Sequence, residues 1–332
     1  MRKVDLSIFR FDFDLTFAVL LMHPDGTLYH RYASRDHTSP TDRLSMKGLI
    51  EVIRRTLPEH RAYQRNPSPP PPLPRRTIEE IPSFARRDKK KRFDCVHCHM
   101  VADAEREWAQ EQKKWRRAQI WRWPLPDRVG IQLDPDNPNR ISKVSSASPA
   151  SRARLRSGDR IVSASGRSIL SEADLQAVLH ETSGSRATIE MLITRNDKEK
   201  KIQLRLSPNW KVGTPLSFSW RPSKWNLSPK PGFGGRPLDD PQLKKLGLRP
   251  GTFAFRITYV VTWGENAYTG RNAEKAGIRR NDIFLSAAGK RDFTSLNHFH
   301  AWFRLTRKVG TRVPIVLLRG KKRITVQLPV IQ

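Results

Sequence analysis

Cysteine is almost absent from this chain of 332 residues: there are two, Cys95 and Cys98. So close together, they cannot form the long-range disulfide framework of a small secreted domain, which leaves folding to ordinary burial and the thiols to local chemistry. Also missing is any run of about 18 apolar residues, the length a membrane helix needs. The opening "MRKVDLSIFRFDFDLTFAVLLM" has neither the unbroken apolar stretch nor the small-residue cleavage site of a signal peptide, so a genuine start at Met1 implies a cytoplasmic protein. No G-x-S-x-G elbow, H-E-x-x-H pair, phosphate loop or dinucleotide fingerprint occurs, which removes the usual hydrolase and nucleotide-dependent classes. Acidic residues are scarce, 32 against 62 Lys and Arg, giving a net charge of +30. That balance favours weak, nonspecific binding to polyanions by counterion release. The basic residues are spread out, and the one dense cluster, "RRDKKKR" from Arg86 to Arg92, adjoins no nucleic-acid-binding motif.

What the chain does contain is locally concentrated apolar sequence, 37% hydrophobic in all. "LTFAVLLM", the turn residues His23 to Gly26 and "TLYHRYA" read as a β-hairpin. A helix is expected next, with Leu44, Leu49, Val52, Ile53 and Leu57 at helical spacing and Pro58 as its end. "NPSPPPPLPRR" (66–76) reads as an extended polyproline spacer. Beyond the basic cluster, Val101, Ala104, Trp108, Trp115 and Ala118 make one stripe of a second helix.

From Arg128 the text changes to short strands, glycines and brief helices. Ala150, Ala153, Asp159 and Gly166 recur 123 residues later as Ala273, Ala276, Asp282 and Gly289, and each block is followed by a helix, a glycine and two strands. One module is used twice. "SPASRARLRSGDRIVSASGRSI" resembles the small-Pro-Ala, Ala-Gly-Leu, Gly-Asp segment of bacterial PDZ domains. That resemblance implies a small β-rich fold that takes a peptide, usually a C-terminus, as an added strand, with backbone N–H groups of a loop receiving the carboxylate. "RVGIQLD" (128–134) is the best match to that loop, so Val129, Gly130 and Ile131 are the expected carboxylate site, and Leu175, Val178 and Leu179 the expected helical wall. On this reading a bulky residue at Gly130 blocks the ligand and leaves folding intact. Arg154 replaces the family's usual glycine, kept as Gly277 in the second copy, which predicts a distorted turn. The second copy lacks an apolar-glycine-apolar loop and carries the bulky "HFHAWF", with His298 and His300, so it is expected not to bind peptide.

Both cysteines fall in "FDCVHCHMVAD". Cys95, Cys98 and His99 spell C-x-x-C-H, in which two thiols can add to haem vinyl groups while the histidine binds iron. Covalent haem c is the leading expectation. Zinc on the same three residues is the runner-up, and a dithiol whose pKa is lowered at a helix start comes third.

Together, "FDFDLTFAVLL", "CVHCH", the first PDZ-like block, "PGFGGRPLDD" and "NHFHAWFRLTRK" resemble a bacterial family of thioredoxin-like and PDZ fusion proteins, some of them selenoproteins. The resemblance implies an N-terminally truncated member whose redox pair would lie upstream of Met1, and a periplasmic parent form. The expected fold is therefore α+β and multidomain: a partial thioredoxin-like segment (1–65), a Pro-rich and basic linker (66–92), a C-x-x-C-H segment with an aromatic helix (93–127), PDZ-like domain 1 (128–206), a connector (207–250) and a degenerate PDZ-like domain 2 (251–332). The expected function is a noncatalytic adaptor that binds a C-terminal or extended peptide and carries haem; the alternative is a redox or electron-transfer protein.

Overall fold

The computed structural model describes residues 1–332, the side chain of Ser223 excepted. The chain divides into two compact units, Met1–Trp220 and Arg221–Gln332. Among the described residues no helix is long and apolar enough to cross a membrane.

The first unit opens with the expected hairpin, β1 (Val19–Met22) and β2 (Leu28–Tyr32), which pair antiparallel with each other alone. Helix α1 (Met46–Arg65) starts where the Ser45 side chain accepts from the Gly48 N–H, and it runs through Pro58 rather than ending there. Proline in a helix interior forfeits one backbone bond and strains the turn before it, so its survival here reflects the tertiary packing of Tyr32 and Val52 with Leu44 and Leu49. Ile53 and Leu57, expected inside, are 39% and 46% exposed.

Residues read as linker also fold: after a 3-10 turn at Ile78–Glu80 comes helix α2 (Pro82–Lys90). It packs on α3 (Cys98–Glu111), with Ile78, Ile81, Phe84, Val101 and Ala104 buried together. Part of the basic cluster is neutralised there, Arg86 by Glu111 and Arg87 by Glu107. α3 stops before Trp115; a 3-10 turn (Arg117–Trp121) replaces the predicted continuation.

A second 3-10 turn, Pro126–Val129, leads into β3 (Ile131–Leu133), β4 (Ile141–Val144), the short helix α4 (Pro149–Arg152), β5 (Arg160–Ala164), β6 (Arg167–Ser168), helix α5 (Glu172–Glu181), β7 (Ala187–Arg195) and β8 (Lys198–Leu206). Strands β6-β5-β7-β8 form one sheet and β3-β4 another. β7 shows why: Ile189, Met191 and Ile193 alternate inward while Thr188 and Glu190 face out, the period of a half-buried strand. Asn196 and Asp197, both at positive φ, close the β7–β8 hairpin with the backbone that its twist requires.

The second unit contains a 3-10 turn (Pro222–Trp225), β9 (Phe233–Pro237), α6 (Asp240–Lys245), β10 (Phe255–Val260), α7 (Ala267–Lys275), β11 (Ile283–Ala287), α8 (Leu296–Thr306), β12 (Arg312–Arg319) and β13 (Lys322–Pro329). Its five strands form one sheet in the order β13-β12-β11-β10-β9 around an aromatic core of Phe233, Phe255, Phe284, Phe299 and Phe303. β9 and α6 come from the stretch read as connector.

The repeated residues make matching contacts inside each unit. Asp159 takes two bonds from Arg195 at 2.6 and 2.7 Å, while Asp282 takes two from Arg319 at 2.8 Å. The same guanidinium reaches the carbonyl of Arg154 in one unit and of Gly277 in the other. Arg154 has φ +61° and Gly277 φ +96°. The predicted distortion is therefore absent: Arg154 accepts the left-handed backbone, a strain of about 1–2 kcal/mol, and its turn keeps the same bonding.

Candidate functional site

Helix α5 and strand β3 form the walls of the site. Ser171 caps α5 by accepting from the Asp174 N–H, and helical phase then puts Leu175, Val178 and Leu179 on a single stripe. That stripe packs into the core with Val129, Ile131, Ile161, Ile189 and Leu204. The expected site residues are thus brought together, but as the buried base of the groove: Val129, Ile131, Leu175 and Leu179 are fully buried and Val178 is 3% exposed. Gly130 also differs from expectation. Its φ is +87°, its N–H is donated to Asp127 O at 3.0 Å, and an added Cβ would stand 2.1 Å from Ser148 Oγ. Packing and backbone conformation require this glycine, so a bulky replacement strikes the fold as well as any ligand.

β3 pairs with β4, and among the described residues its other edge has no strand partner. Between β3 and the head of α5 lies a cavity of about 10 Å³ lined by Tyr32, Arg43, Leu44, Leu133, Pro138 and Glu172, among others. It holds about one water molecule. Arg43 spans this mouth. Its guanidinium meets Glu172 at 3.1 Å, Asp36 at 3.2 Å and also Asp127, which holds its charge firmly. Burial raises the pKa of Glu172, and Arg43 and the Ser34 hydroxyl pull the other way. Nearby, His30 Nδ1 lies 2.8 Å from Asp174 and Nε2 2.9 Å from Glu59. Burial works against its charge, but the two carboxylates prevail and push His30 up to about 9. The face of α5 opposite the core is covered by Gln176, whose Nε2 donates to Trp123 O at 2.7 Å. Arg43 and Gln176 were not anticipated. The phase of the apolar stripe places Gln176 off that stripe and could have revealed it, whereas nothing local marks Arg43.

Residues 128–206 match the family described as PDZ domain. This segment is a PDZ domain. No curated protein matches the chain. Similar solved structures include the HtrA3 PDZ domain bound to the phage-derived ligand FGRWV, at 22% identity and TM-score 0.20 over 23% of this chain and 81% of that one. A serine endoprotease from Yersinia pestis follows at 24% identity and TM-score 0.21, over 24% of this chain and 28% of that one. The HtrA-type protease AlgW with decapeptide shows 16% identity and TM-score 0.26, over 43% and 41%. The chain spans less than half the length of either protease.

In the second unit β9 stands where β3 does and β10 where β4 does: Gly232, at φ +81°, accepts from the Val261 N–H as Gly130 accepts from Ser145, and Ile257 N–H is donated to Asp282 O as that of Ile141 is to Asp159 O. β10 is paired on both sides, by β11 and by β9. β9 runs antiparallel to β10, and the close approach depends on glycine: a Cβ on Gly235 would stand 1.8 Å from Arg256 O, and one on Gly234 2.2 Å from the Tyr259 hydroxyl. His300 of α8 lies 3.0 Å from Phe233 O through Nε2. Burial, assisted by Arg304, pushes His300 down to about 3, so the ring is neutral and Nε2–H donates to that carbonyl. Gln176 and His300 each stand five residues after the serine that caps their helix, and each holds a backbone carbonyl of an earlier segment of its own unit. His298 is placed differently, with Nδ1 near Thr294.

The C-x-x-C-H motif lies at the start of α3. Cys95 is exposed, while Cys98 is half-buried against Phe11, Leu15, Ala33 and Ala173. Burial pushes the Cys98 thiol up, opposite to the lowering expected at a helix start, although the N-terminal ammonium acts in the lowering sense. The His99 ring stacks on His97 at 5.6 Å and its Nδ1 is 4.0 Å from Asp103. Among the described residues no three His, Cys, Asp or Glu side chains are grouped to hold a metal ion. A porphyrin bonded to both sulfurs would need the half-buried Cys98 uncovered from its cluster with Phe11 and Leu15.

Proposed function

We propose that the PDZ domain binds an extended peptide of another protein as a strand added to the free edge of β3, and that the second unit is a PDZ-like module whose equivalent strand, β9, is tied to α8 through His300. The observation that carries this reading is a contrast at the helix: His300 of α8 holds the Phe233 carbonyl of β9, whereas Gln176 of α5 holds Trp123 O, and β3 keeps an edge without a strand partner. An unpaired strand edge offers backbone donors and acceptors that a peptide can satisfy in register. In this reading Val129, Gly130 and Ile131 set the start of β3, while Leu175, Val178 and Leu179 hold α5 at groove width. Arg43 narrows the entrance. Calorimetry on the full chain tests the proposal with apolar-ended peptides in three forms: free acid, amide, and N-methylated at alternate residues. Binding is expected to vanish with N-methylation, and the acid-to-amide ratio reports whether a terminal carboxylate is read. Equal binding of the N-methylated form would contradict strand addition.

Three finer readings are proposals on sequence resemblance or motif alone. A thioredoxin-like origin for residues 1–65 would be supported by upstream DNA that encodes a redox-pair segment in frame, and a periplasmic location by an export signal ahead of it. Covalent haem on Cys95 and Cys98 rests on C-x-x-C-H.

A further inference from the structure

A large charged cleft in the first unit is separate from the β3 edge. It measures about 760 Å³ and is bounded by the N-terminal segment on one side and by β6 and the far end of α5 on the other. Small-molecule sites typically occupy about 300–1,000 Å³ and combine apolar walls with a few convergent polar groups. This cleft has that mixture. Leu6, Ile8, Phe13 and Leu28 contribute apolar surface, and Trp123 and His180 form a flat stack at 4.1 Å and 9°. The imidazole is uncharged: burial, with Arg122 and Lys211 adding to it, pushes His180 down to about 4, and its Nδ1 accepts from the Trp123 N–H.

The charges do not balance. Arg10, Arg31, Arg76, Arg122 and Arg167 line the cleft against Glu105, Asp174 and Glu181. All three carboxylates are already engaged, Glu105 by Arg76, Glu181 by Arg167 and Asp174 by His30. Arg10, Arg31 and Arg122 add positive charge with no carboxylate of the cleft left for them. Arg31 is the most constrained, since its Nε is buried without a hydrogen-bond partner among the described residues. Burial lowers its pKa, Asp174 opposes, and Arg167 and Arg10 reinforce the lowering. A buried donor left unsatisfied among like charges is costly, and an anion would relieve both penalties.

We propose that this cleft binds a small organic anion, its charged head among Arg10, Arg31 and Arg122 and its apolar body against Leu6, Ile8 and Phe13. Calorimetry on the full chain tests it with benzoate and phenyl phosphate, which share that chemistry and differ in the head group, alongside benzyl alcohol and inorganic phosphate. At least one of the two aromatic anions is expected to bind with a stoichiometry near one, the tighter of them identifying the preferred head, and both controls are expected to bind more weakly. The exposed pair Arg10→Gln/Arg122→Gln, which should fold as the parent does, is expected to weaken binding by about tenfold or more. Arg31→Gln should weaken it too. Binding of neither anion, equal binding of the neutral alcohol or of inorganic phosphate, or unchanged affinity in the double variant would overturn the assignment. So would saturation at many sites that a long polyanion such as heparin displaces, since that reports general surface charge.

Discussion

Single residues carry several of the tests. Gly130→Val forces a β-branched side chain into φ +87° and into Ser148, and the sum of a left-handed strain and an overpacked contact is about 2–5 kcal/mol of stability. Arg154→Gly instead removes strain at φ +61° and should leave stability unchanged or raise it by up to about 1 kcal/mol. Urea unfolding of both variants measures the contrast; a neutral Gly130→Val would show that the fit against Ser148 is wrong. At the thiols, exposed Cys95 should alkylate well before Cys98, whose thiol is half-buried and pushed up by burial. Intact mass spectrometry reads the order directly, and a mass increment of haem that survives acid extraction would instead support covalent attachment. His300 gives a pH signature. Its folded pKa of about 3 lies below the ordinary 6.5, so it favours the folded state above pH 6.5, and that contribution is lost as pH falls from there toward 3. His300→Gln keeps a donor for Phe233 O and should flatten the acid side of the melting profile; an unchanged profile would place the acid sensitivity elsewhere.

At the scale of elements, β9 is the feature least visible in the sequence. "PGFGGRPLDD" is rich in glycine and proline, which disfavour strands, and it was read as part of a connector. Those same glycines permit the approach to β10 that a side chain would block. Gly235→Val should therefore expel β9, expose the edge of β10 and raise hydrogen exchange across Phe255–Val260; unaltered exchange there would mean that β9 does not depend on the close contact. The hairpin β1–β2 and helix α5 were legible because alternation and helical phase are local signals. The passage of α1 through Pro58 and the early end of α3 were not, because tertiary packing decided the first and the turn before Trp115 the second. Phase also predicted which side chains of α5 are apolar without telling base from mouth. Leu175, Val178 and Leu179 became the base, and Gln176, off that stripe, is buried against Trp123.

For the whole molecule, the PDZ domain was readable from residues 148–169 because its turns need particular small and acidic residues, and Asp159 shows why: Arg195 binds it from a strand far along the chain. The bridge over the groove was not readable, since Arg43 and Glu172 are distant in sequence and meet only after folding. The central claim is that a peptide adds to the edge of β3 in the first unit and not to β9 of the second, whose Phe233 carbonyl His300 holds. Hydrogen–deuterium exchange on the full chain, with and without a free-acid peptide that calorimetry shows to bind, tests it most directly. Protection should be gained across residues 131–134 and remain unchanged across Phe233–Pro237. Protection gained at Phe233–Pro237, or peptide binding that leaves residues 131–134 exchanging as before, would contradict it.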